Sequence, residues 1–191
     1  MNRLDCLQII SNLLGDIPII FTTGYTCREA HFCKDKDSNF YMVGSMGLAS
    51  SIAFGLASFT KKKVVVVDGD GSLLMNFSGV FLSRILDNTS NLMHIVLDNG
   101  TCDSTGGQKT NSEIFDFFEL AKSIGYKKSD LIETVDDLSL ILNNFIKSSG
   151  AGPHFIHARI TSHGSTTSPR IELPLSYISK RFRNFIIKNL S

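Results

Sequence analysis

The sequence has no excess of charge of either sign, because nineteen Lys and Arg residues face eighteen Asp and Glu residues over 191 positions. No overall field therefore draws the chain toward nucleic acid or an anionic membrane, and we expect neither as a partner. It has no run of about eighteen apolar residues, and polar and acidic residues interrupt the apolar part of residues 1–16. These absences indicate neither a membrane span nor a secretion signal.

Cysteine is scarce as well. The spacing of Cys6, Cys27, Cys33 and Cys102 matches neither a CxxC metal or redox motif nor a dense disulfide framework. A reduced setting fits these four residues best, and we expect a cytoplasmic protein.

Helical and extended patterns alternate along the chain. Apolar residues recur at helical spacing near the start, and the β-branched run at residues 64–67 is typical of a parallel strand covered on both faces. We predict helices over residues 3–14, 48–59, 72–87, 112–124 and 136–147, the last capped by Asp136, and strands over residues 19–21, 40–43, 64–67, 91–97, 131–134 and 155–160. The pattern predicts one domain over residues 1–191, of the α/β class, with three α/β/α layers and a mostly parallel, doubly wound sheet.

Polar, glycine-rich loops directly follow four of the predicted strands, at residues 22–26, 44–47, 68–72 and 98–108. In open α/β sheets, ligands bind at the carboxyl ends of the strands. We therefore expect these loops to converge on one site.

The loop at residues 68–72 combines features that suit a phosphate with one that opposes it. Gly69 and Gly71 let backbone approach a ligand, and Ser72 begins a predicted helix whose free N–H groups favour an anion. Asp70 would repel a phosphate unless a hard cation such as Mg²⁺ takes oxygen ligands from both. Asn99 follows the next strand and offers a second oxygen, so we predict that Asp70 and Asn99 hold a divalent metal.

Two other interpretations compete with this one. Asp-Gly and Asn-Gly pairs can simply mark turns, but here both pairs follow apolar strands that one predicted helix separates. A nucleotide-binding Rossmann domain would need a glycine where Leu74 stands, and the GK[ST] motif of a phosphate loop does not occur. The paired motifs favour a metal and diphosphate site.

The combination of Gly69-Asp70-Gly71-Ser72 with Leu97-Asp98-Asn99 resembles the metal and diphosphate motif of thiamin diphosphate enzymes. The resemblance covers residues 22–159. The run Asp103-Ser104-Thr105-Gly106-Gly107-Gln108 narrows it to the phosphonopyruvate and sulfopyruvate decarboxylase group. It implies the thiamin diphosphate-binding fold, in the form that holds the diphosphate.

The resemblance also implies roles for individual residues. Asp70, Asn99 and the carbonyl of Thr101 would hold Mg²⁺, and Gly71 and Ser72 would touch the diphosphate. The Gly44 carbonyl would accept a hydrogen bond from the aminopyrimidine, and Met46, which could otherwise be plain core packing, would hold the cofactor bent. The other implied cofactor contacts are Thr23, Gly24, Tyr25, Ser45, Gly69, Ser104 and Thr105.

The implied activity is decarboxylation of a 2-oxoacid, with 3-phosphonopyruvate or 3-sulfopyruvate as the expected substrate. Such enzymes activate the cofactor with a glutamate on a separate pyrimidine-binding domain, so we expect no catalytic residue here, a pyrimidine-binding alpha-type partner, and a dimer or higher oligomer. A fragment of a longer decarboxylase would look the same. The alternatives are a non-catalytic or regulatory subunit and a subunit for another 2-oxoacid.

Two positions depart from the family pattern. Cys102 stands where related enzymes often carry a histidine, and a thiol replaces imidazole poorly near neutral pH unless its pKa is lowered. The run Gly164-Ser165-Thr166-Thr167 stands where a glycine followed by an arginine is expected, so a partner for the anionic tail of the substrate is missing there.

Other charged residues have a functional and an ordinary interpretation. Arg28 could bind a phosphonate or sulfonate, or could form an ion pair with Glu29 or a neighbour. His154 and His157 are three apart on a predicted strand and point to opposite faces, which argues against a shared metal. We expect Lys61-Lys62-Lys63 to cap the preceding helix in solvent.

Overall fold

A computed structural model describes residues 1–85, 88–150, 152–162 and 168–190, and it is built around a six-stranded sheet. The strands are β1 (Ile19–Phe21), β2 (Asn39–Tyr41), β3 (Val64–Gly69), β4 (Leu92–Asp98), β7 (Lys128–Ile132) and β8 (His154–Arg159), while β5 (Thr101–Cys102) and β6 (Gln108–Lys109) form a separate antiparallel hairpin. The sheet order is β2-β1-β3-β4-β8-β7, and every neighbouring pair is parallel. The predicted α/β class is confirmed.

Helices cover both faces of this sheet. They are α1 (Arg3–Leu13), α2 (Tyr25–Cys33), α3 (Ala49–Phe59), α4 (Asp70–Met75), α5 (Leu82–Ile85), α6 (Phe117–Ile124), α7 (Val135–Lys147) and α8 (Leu175–Leu190). Residues of α1, α2 and α7 belong to one hydrophobic cluster, and residues of α3, α4, α6 and α8 belong to the other. None of the helices in the described ranges is long and apolar enough to cross a membrane.

Strand β3 shows why the sheet is buried on both sides. Val65 and Val67 belong to the cluster under α1, α2 and α7, whereas Val64 and Val66 belong to the opposite cluster. All four valines are fully buried, and each contributes roughly 1.5 kcal/mol by leaving water. The three-layer arrangement follows directly from this run.

The predicted helix over residues 72–87 is wrong as a continuous element. Helix α4 ends at Met75, a 3-10 turn spans Phe77–Phe81, and α5 follows. The side chain of Asn76 accepts a hydrogen bond from the Ser78 N–H and starts the new turn. Gly79 is forced close to α3, where a Cβ atom would clash with Ser50 Oγ.

Three other boundaries also differ from the prediction, and local capping accounts for the two that begin helices. The region 112–124 begins as a 3-10 turn over Ser112–Ile114, and Asp116 then caps α6 by accepting from the Glu119 N–H at 3.0 Å. The strand expected at 131–134 is β7, which ends at Ile132. Thr134, and not Asp136, caps α7 by accepting from the Asp137 N–H at 3.2 Å.

Helices α2 and α8 were not predicted. Tyr25 already begins α2, so the polar segment 22–26 is a turn only in its first half. Helix α8 packs against the β2 edge, where the rings of Phe182 and Phe40 lie 5.2 Å apart. The Gly164-Ser165-Thr166-Thr167 run, on which one expectation rested, lies outside the described residues.

The Lys61-Lys62-Lys63 run was expected to lie in solvent, but two of its three side chains bind backbone carbonyls at the ends of other helices. Lys62 Nζ donates to the carbonyl of Asn189 at the end of α8, and Lys63 Nζ donates to the Ser148 carbonyl at 2.6 Å. The run therefore fastens the carboxyl ends of α8 and α7 as well as following α3.

The sheet opens a crevice beside β1 and β3. The chain leaves β1 into α2 on one face, but it leaves β3 into α4 on the other face. Loops that diverge from adjacent parallel strands in this way form the usual ligand crevice of an open α/β sheet. This topology places the site at the carboxyl ends of β1, β3 and β4.

Candidate functional site

The loops after β1, β2, β3 and β4 converge on one cleft, as the sequence predicts. Most of the predicted site residues line it: Thr23, Tyr25, Met46, Gly69, Asp70, Gly71, Ser72, Asn99, Thr101 and Ser104. The other lining residues are Arg3, Thr22, Thr26, Leu97, Cys102 and Asp103. Residues from five separate chain segments, the four predicted loops and the start of α1, therefore meet at this edge of the sheet.

The remaining predicted residues lie outside the lining of this cleft. Gly24 lies against Ser104, a lining residue, since a Cβ at Gly24 would be 3.0 Å from Ser104 Oγ. Gly44 and Ser45 line a neighbouring apolar pocket, although the Gly44 N–H donates to Thr23 Oγ1 at 3.2 Å. Thr105 is exposed, and its hydroxyl donates to Gln108 at 2.9 Å.

A small hydrogen-bond network joins three of the loops. The hydroxyls of Thr22 and Ser72 lie 2.8 Å apart, and the Gly47 N–H donates to Ser72 Oγ at 3.0 Å. Gly47 has a φ of +92°, and a Cβ atom there would lie 2.6 Å from the Cβ of Asn76. Ser72 thus fixes the loop that carries Met46 against the loop that carries Asp70.

Asp70 lies at the start of α4 and is only 2% exposed. Burial raises the pKa of its carboxyl to about 6, and the nearby charge of Asp98 adds to this, while the hydrogen bond from Thr110 Oγ1, at 2.5 Å, acts against it. A buried carboxylate beside a second one is stabilised by a cation between it and further oxygen ligands. Asp70 therefore fits a metal ligand.

Asp98 stays ionised beside Asp70. Its own burial would raise its pKa, but hydrogen bonds from His157 Nε2 at 2.8 Å, Ser112 Oγ at 2.7 Å and the Gly100 N–H at 2.9 Å outweigh burial and lower it. His157 is thus engaged by Asp98, whereas His154 contacts Asp130 instead. The two histidines do not share a site.

Asn99 lines the cleft and has a carboxamide oxygen that is only weakly hydrogen-bonded. Its Nδ2 donates to Asp103 Oδ2 at 2.7 Å, while its Oδ1 receives only a long bond, 3.3 Å, from the Thr101 N–H. Asn99 and Asp70 line the same cleft, and carboxamide and carboxylate oxygens are the ligands that Mg²⁺ prefers. In the described ranges, this cleft included, no three His, Cys, Asp or Glu side chains are grouped to hold a metal, so a metal here would also need amide and backbone oxygens.

Arg3 is a site residue that the sequence pattern did not reveal. Its Nε and Nη2 donate to the two Glu29 oxygens at 2.9 and 3.1 Å, and its Nη1 donates to Asp103 at 3.3 Å. Glu29 is thus paired with Arg3, whereas Arg28, for which an ion pair with Glu29 was one of two interpretations, donates to backbone carbonyls. No short motif marks Arg3, since its partners lie 26 and 100 residues away.

Arg28 packs on Tyr25, which lines the cleft. Its guanidinium donates to the backbone carbonyls of Ser168 and Pro169 and lies over the ring of Tyr25, 5.1 Å from the centroid. The face of an aromatic ring attracts a cation at this distance. Arg28 therefore joins α2 to the segment that follows β8.

Cys102 is poorly suited to proton transfer. Burial raises the pKa of its thiol, and the charges of Asp70 and Asp103 raise it further. A thiol with a raised pKa is neutral near pH 7 and is a weak base. Cys102 therefore does not supply the proton transfer that the imidazole of a histidine could supply at this position.

Comparison with known families gives one match that covers most of the chain. The family described as "Thiamine pyrophosphate enzyme, C-terminal TPP binding domain" matches residues 23–158. Thiamine pyrophosphate is another name for thiamin diphosphate. The match includes most of the loop after β1 and the loops after β2, β3 and β4, and it excludes α1, β1 and α8.

Two named relatives are more than one third identical to this chain over the aligned residues. The phosphonopyruvate decarboxylase of Streptomyces viridochromogenes is 37% identical over 94% of this chain, which covers 44% of that protein. Subunit beta of the sulfopyruvate decarboxylase of Methanothermobacter thermautotrophicus is 36% identical over 95% of this chain and 94% of its own length. The chain thus spans less than half of the first relative and nearly all of the second.

Solved structures show the same fold. The benzoylformate decarboxylase of Polynucleobacter necessarius superposes with a TM-score of 0.66 at 17% identity, over 84% of this chain and 33% of that chain. At this identity the likeness shows the fold alone, with the sheet and its two helical layers in common.

Proposed function

Because the chain belongs to the thiamine pyrophosphate enzymes, through their C-terminal cofactor-binding domain, we propose that it forms the diphosphate and metal half of a 2-oxoacid decarboxylase. The observation that carries the proposal is that Asp70 and Asn99, from the ends of β3 and β4, line one cleft. A carboxylate, a carboxamide oxygen and a backbone carbonyl form the oxygen-only donor set that suits Mg²⁺. Thiamin diphosphate and Mg²⁺ are therefore the proposed cofactors.

We assign the metal to Asp70, Asn99 and the carbonyl of Thr101. Ser72, whose hydroxyl is held by Thr22 and the Gly47 N–H, would bind the diphosphate together with Gly71. Met46 is half-buried at the cleft and would support the cofactor from one side. The further proposed contacts are Thr23, Gly24, Tyr25, Gly44, Ser45, Gly69, Ser104 and Thr105.

When bound, thiamin diphosphate would supply an electron sink that makes loss of carbon dioxide from a 2-oxoacid possible. The chain's own residues would bind and orient this group and exclude water from its diphosphate end. Neither Cys102, with its raised thiol pKa, nor Asp98, which three hydrogen bonds hold, is placed to move a proton. The activating glutamate is assigned to a pyrimidine-binding partner.

The proposed substrate is a 2-oxoacid with an anionic tail, either 3-phosphonopyruvate or 3-sulfopyruvate. The names of relatives 36% and 37% identical over most of this chain support it. The beta subunit that matches this chain along 94% of its length supports a separate alpha-type partner, and hence an oligomer. The single-domain organisation of residues 1–191 and a cytoplasmic location are proposals that rest on length and on cysteine spacing.

Reconstitution tests this function. The chain, purified with the pyrimidine-binding subunit that a neighbouring reading frame would encode, is mixed with thiamin diphosphate, Mg²⁺ and each oxoacid, and released carbon dioxide is measured. We expect release from 3-phosphonopyruvate or 3-sulfopyruvate by the complex, and none by the chain alone, which lacks the activating glutamate.

Pyruvate, which lacks the anionic tail, is the matched substrate control. Robust turnover by the isolated chain would contradict the split arrangement. A stable complex that binds the cofactor yet releases carbon dioxide from no 2-oxoacid would instead identify a non-catalytic subunit, and release from pyruvate alone would overturn the substrate assignment.

A further inference from the structure

We propose that Asp103 is a positioning residue that orients two of the three oxygen ligands of the metal site; this inference rests on the proposed function. Asp103 lies in the 3-10 turn between β5 and β6, and its side chain is only 3% exposed. A carboxylate that is this deeply buried must be matched by donors. Those donors include both of the proposed ligand residues that follow Asp98.

The first of these donors is the carboxamide of Asn99. Because its Nδ2 donates to Asp103 Oδ2 at 2.7 Å, its oxygen is the atom directed elsewhere. A flip of the amide would bring two oxygens to this short distance and would offer N–H groups, which repel a cation, to the metal. Asp103 therefore selects the orientation in which Asn99 can bind a cation.

The second donor is Thr101, whose Oγ1 donates to Asp103 Oδ1 at 2.6 Å. The metal ligand assigned to Thr101 is its backbone carbonyl, and the direction of that carbonyl depends on how the residue is held. One carboxylate thus fixes both Asn99 and Thr101, which stand two residues apart between the end of β4 and the start of β5. The other proposed ligand, Asp70, has its own partner in Thr110 Oγ1.

Asp103 is in turn anchored from the first helix. Arg3 Nη1 donates to Asp103 Oδ2 at 3.3 Å, while the rest of the Arg3 guanidinium forms a fork with Glu29. The Ser162 hydroxyl donates to Asp103 Oδ1 at 3.2 Å. Both oxygens of Asp103 therefore have two donors each, and this carboxylate is left without capacity to be a metal ligand itself.

The test measures how much Mg²⁺ the full chain needs to bind thiamin diphosphate. The half-saturating Mg²⁺ concentration is determined by calorimetric titration, at a temperature well below the unfolding midpoint of every variant. Partners behind the ligands of a metal are worth about 10-fold to 100-fold in metal affinity. We therefore expect Asp103→Asn to raise the Mg²⁺ requirement at least about 10-fold.

Lys109→Gln is the matched control, because Lys109 lies on the same hairpin with an exposed side chain. Thr101→Val is a second variant, in case Asp103→Asn does not fold. It removes one hydrogen bond to Asp103, leaves the carbonyl of residue 101 in place, and should raise the Mg²⁺ requirement roughly fivefold.

The outcomes separate this inference from the function on which it rests. If the wild type binds only with Mg²⁺ but Asp103→Asn and Thr101→Val need no more Mg²⁺ than Lys109→Gln, Asp103 is merely structural and the inference is overturned. The inference is also overturned if Asp103→Asn lowers the unfolding midpoint but leaves the Mg²⁺ requirement unchanged. If the wild type shows no Mg²⁺-dependent binding, the metal site itself is refuted, and the role of Asp103 with it.

Discussion

Single residues decide how closely the β5–β6 hairpin can approach the metal loop. At Gly71, a Cβ atom would lie 2.5 Å from Cys102 Sγ and 3.3 Å from Thr110 Cγ2. Real side chains do not tolerate the first of these distances, so glycine at position 71 is needed for the hairpin to lie against Asp70. The same contact allows Thr110 to reach the Asp70 carboxylate.

Gly71→Ala should therefore destabilise the protein. Overfilling a packed site usually costs about 1–3 kcal/mol, and we expect a loss of roughly 1 kcal/mol in the free energy of unfolding, because Cys102 can rotate away in part. Urea denaturation measures this change. The double variant Gly71→Ala with Cys102→Ala removes the clashing sulfur and should recover most of the lost free energy of unfolding.

Gly55→Ala is the matched control, since nothing lies within 4 Å of a Cβ at that position of α3. It should leave stability unchanged or raise it by up to about 1 kcal/mol. Equal effects of the two substitutions would show that the hairpin does not press on Gly71.

Functional residues at the strand ends could be predicted where a short sequence motif identifies them. Asp70 and Asn99 were found from paired motifs, and the structure brings both into one cleft. Arg3 and Thr110 were not singled out, because their partners lie 26 to 100 residues away along the chain; Asp103 was named only as part of the family run, without a role of its own. Such pairings depend on the tertiary fold and leave no periodic signal in one sequence.

Strands were predictable where burial on both faces requires a continuous run of apolar residues. The predicted strands at residues 19–21, 64–67 and 91–97 agree with β1, β3 and β4 because continuous apolar runs are typical of central parallel strands. Helix α8 was missed because few of its residues are buried; within α8 only Ile178 and Phe182 are. The break after Met75 depends on caps and on close packing against α3, which a helical period does not reveal.

An ion pair fastens α8 to the loop before β2. Arg181 forms a fork with Asp35, with distances of 2.7 and 2.8 Å. Burial of Asp35 would raise its pKa, but the hydrogen bonds and charge of Arg181 outweigh burial and hold the pKa below its usual value of 3.8. A group whose pKa is lowered on folding stabilises the folded state above its unfolded pKa.

Asp35→Asn should consequently lower the free energy of unfolding near neutral pH, by no more than about 1 kcal/mol because the pair is partly open to solvent. The difference from wild type should shrink as pH falls below the unfolded pKa of Asp35 and vanish below its folded pKa. Chemical denaturation at a series of pH values measures this. Asp37→Asn is the control, since Asp37 is 73% exposed and 3.7 Å from Arg181; a pH-independent difference for Asp35→Asn would contradict the account.

The whole molecule explains why these residues and elements meet where they do. Its sheet changes winding direction between β1 and β3, which opens the crevice, and helices on both faces bury the strands that carry the site. The α/β class and the convergence of four loops were predictable because apolar runs and polar strand ends alternate regularly. The proposed cofactor, reaction and partner all rest on one assignment, namely a cation that would join Asp70, Asn99 and the diphosphate.

Calorimetric titration of thiamin diphosphate into the wild-type chain and Asp70→Asn, with Mg²⁺ and with a chelator, tests that claim most directly. Asp136→Asn removes an exposed carboxylate elsewhere and serves as the control. We predict that wild type and Asp136→Asn bind the cofactor only with Mg²⁺, and that Asp70→Asn loses this Mg²⁺-dependent binding. Equal affinity of wild type and Asp70→Asn, or binding that the chelator leaves unchanged, would contradict the account.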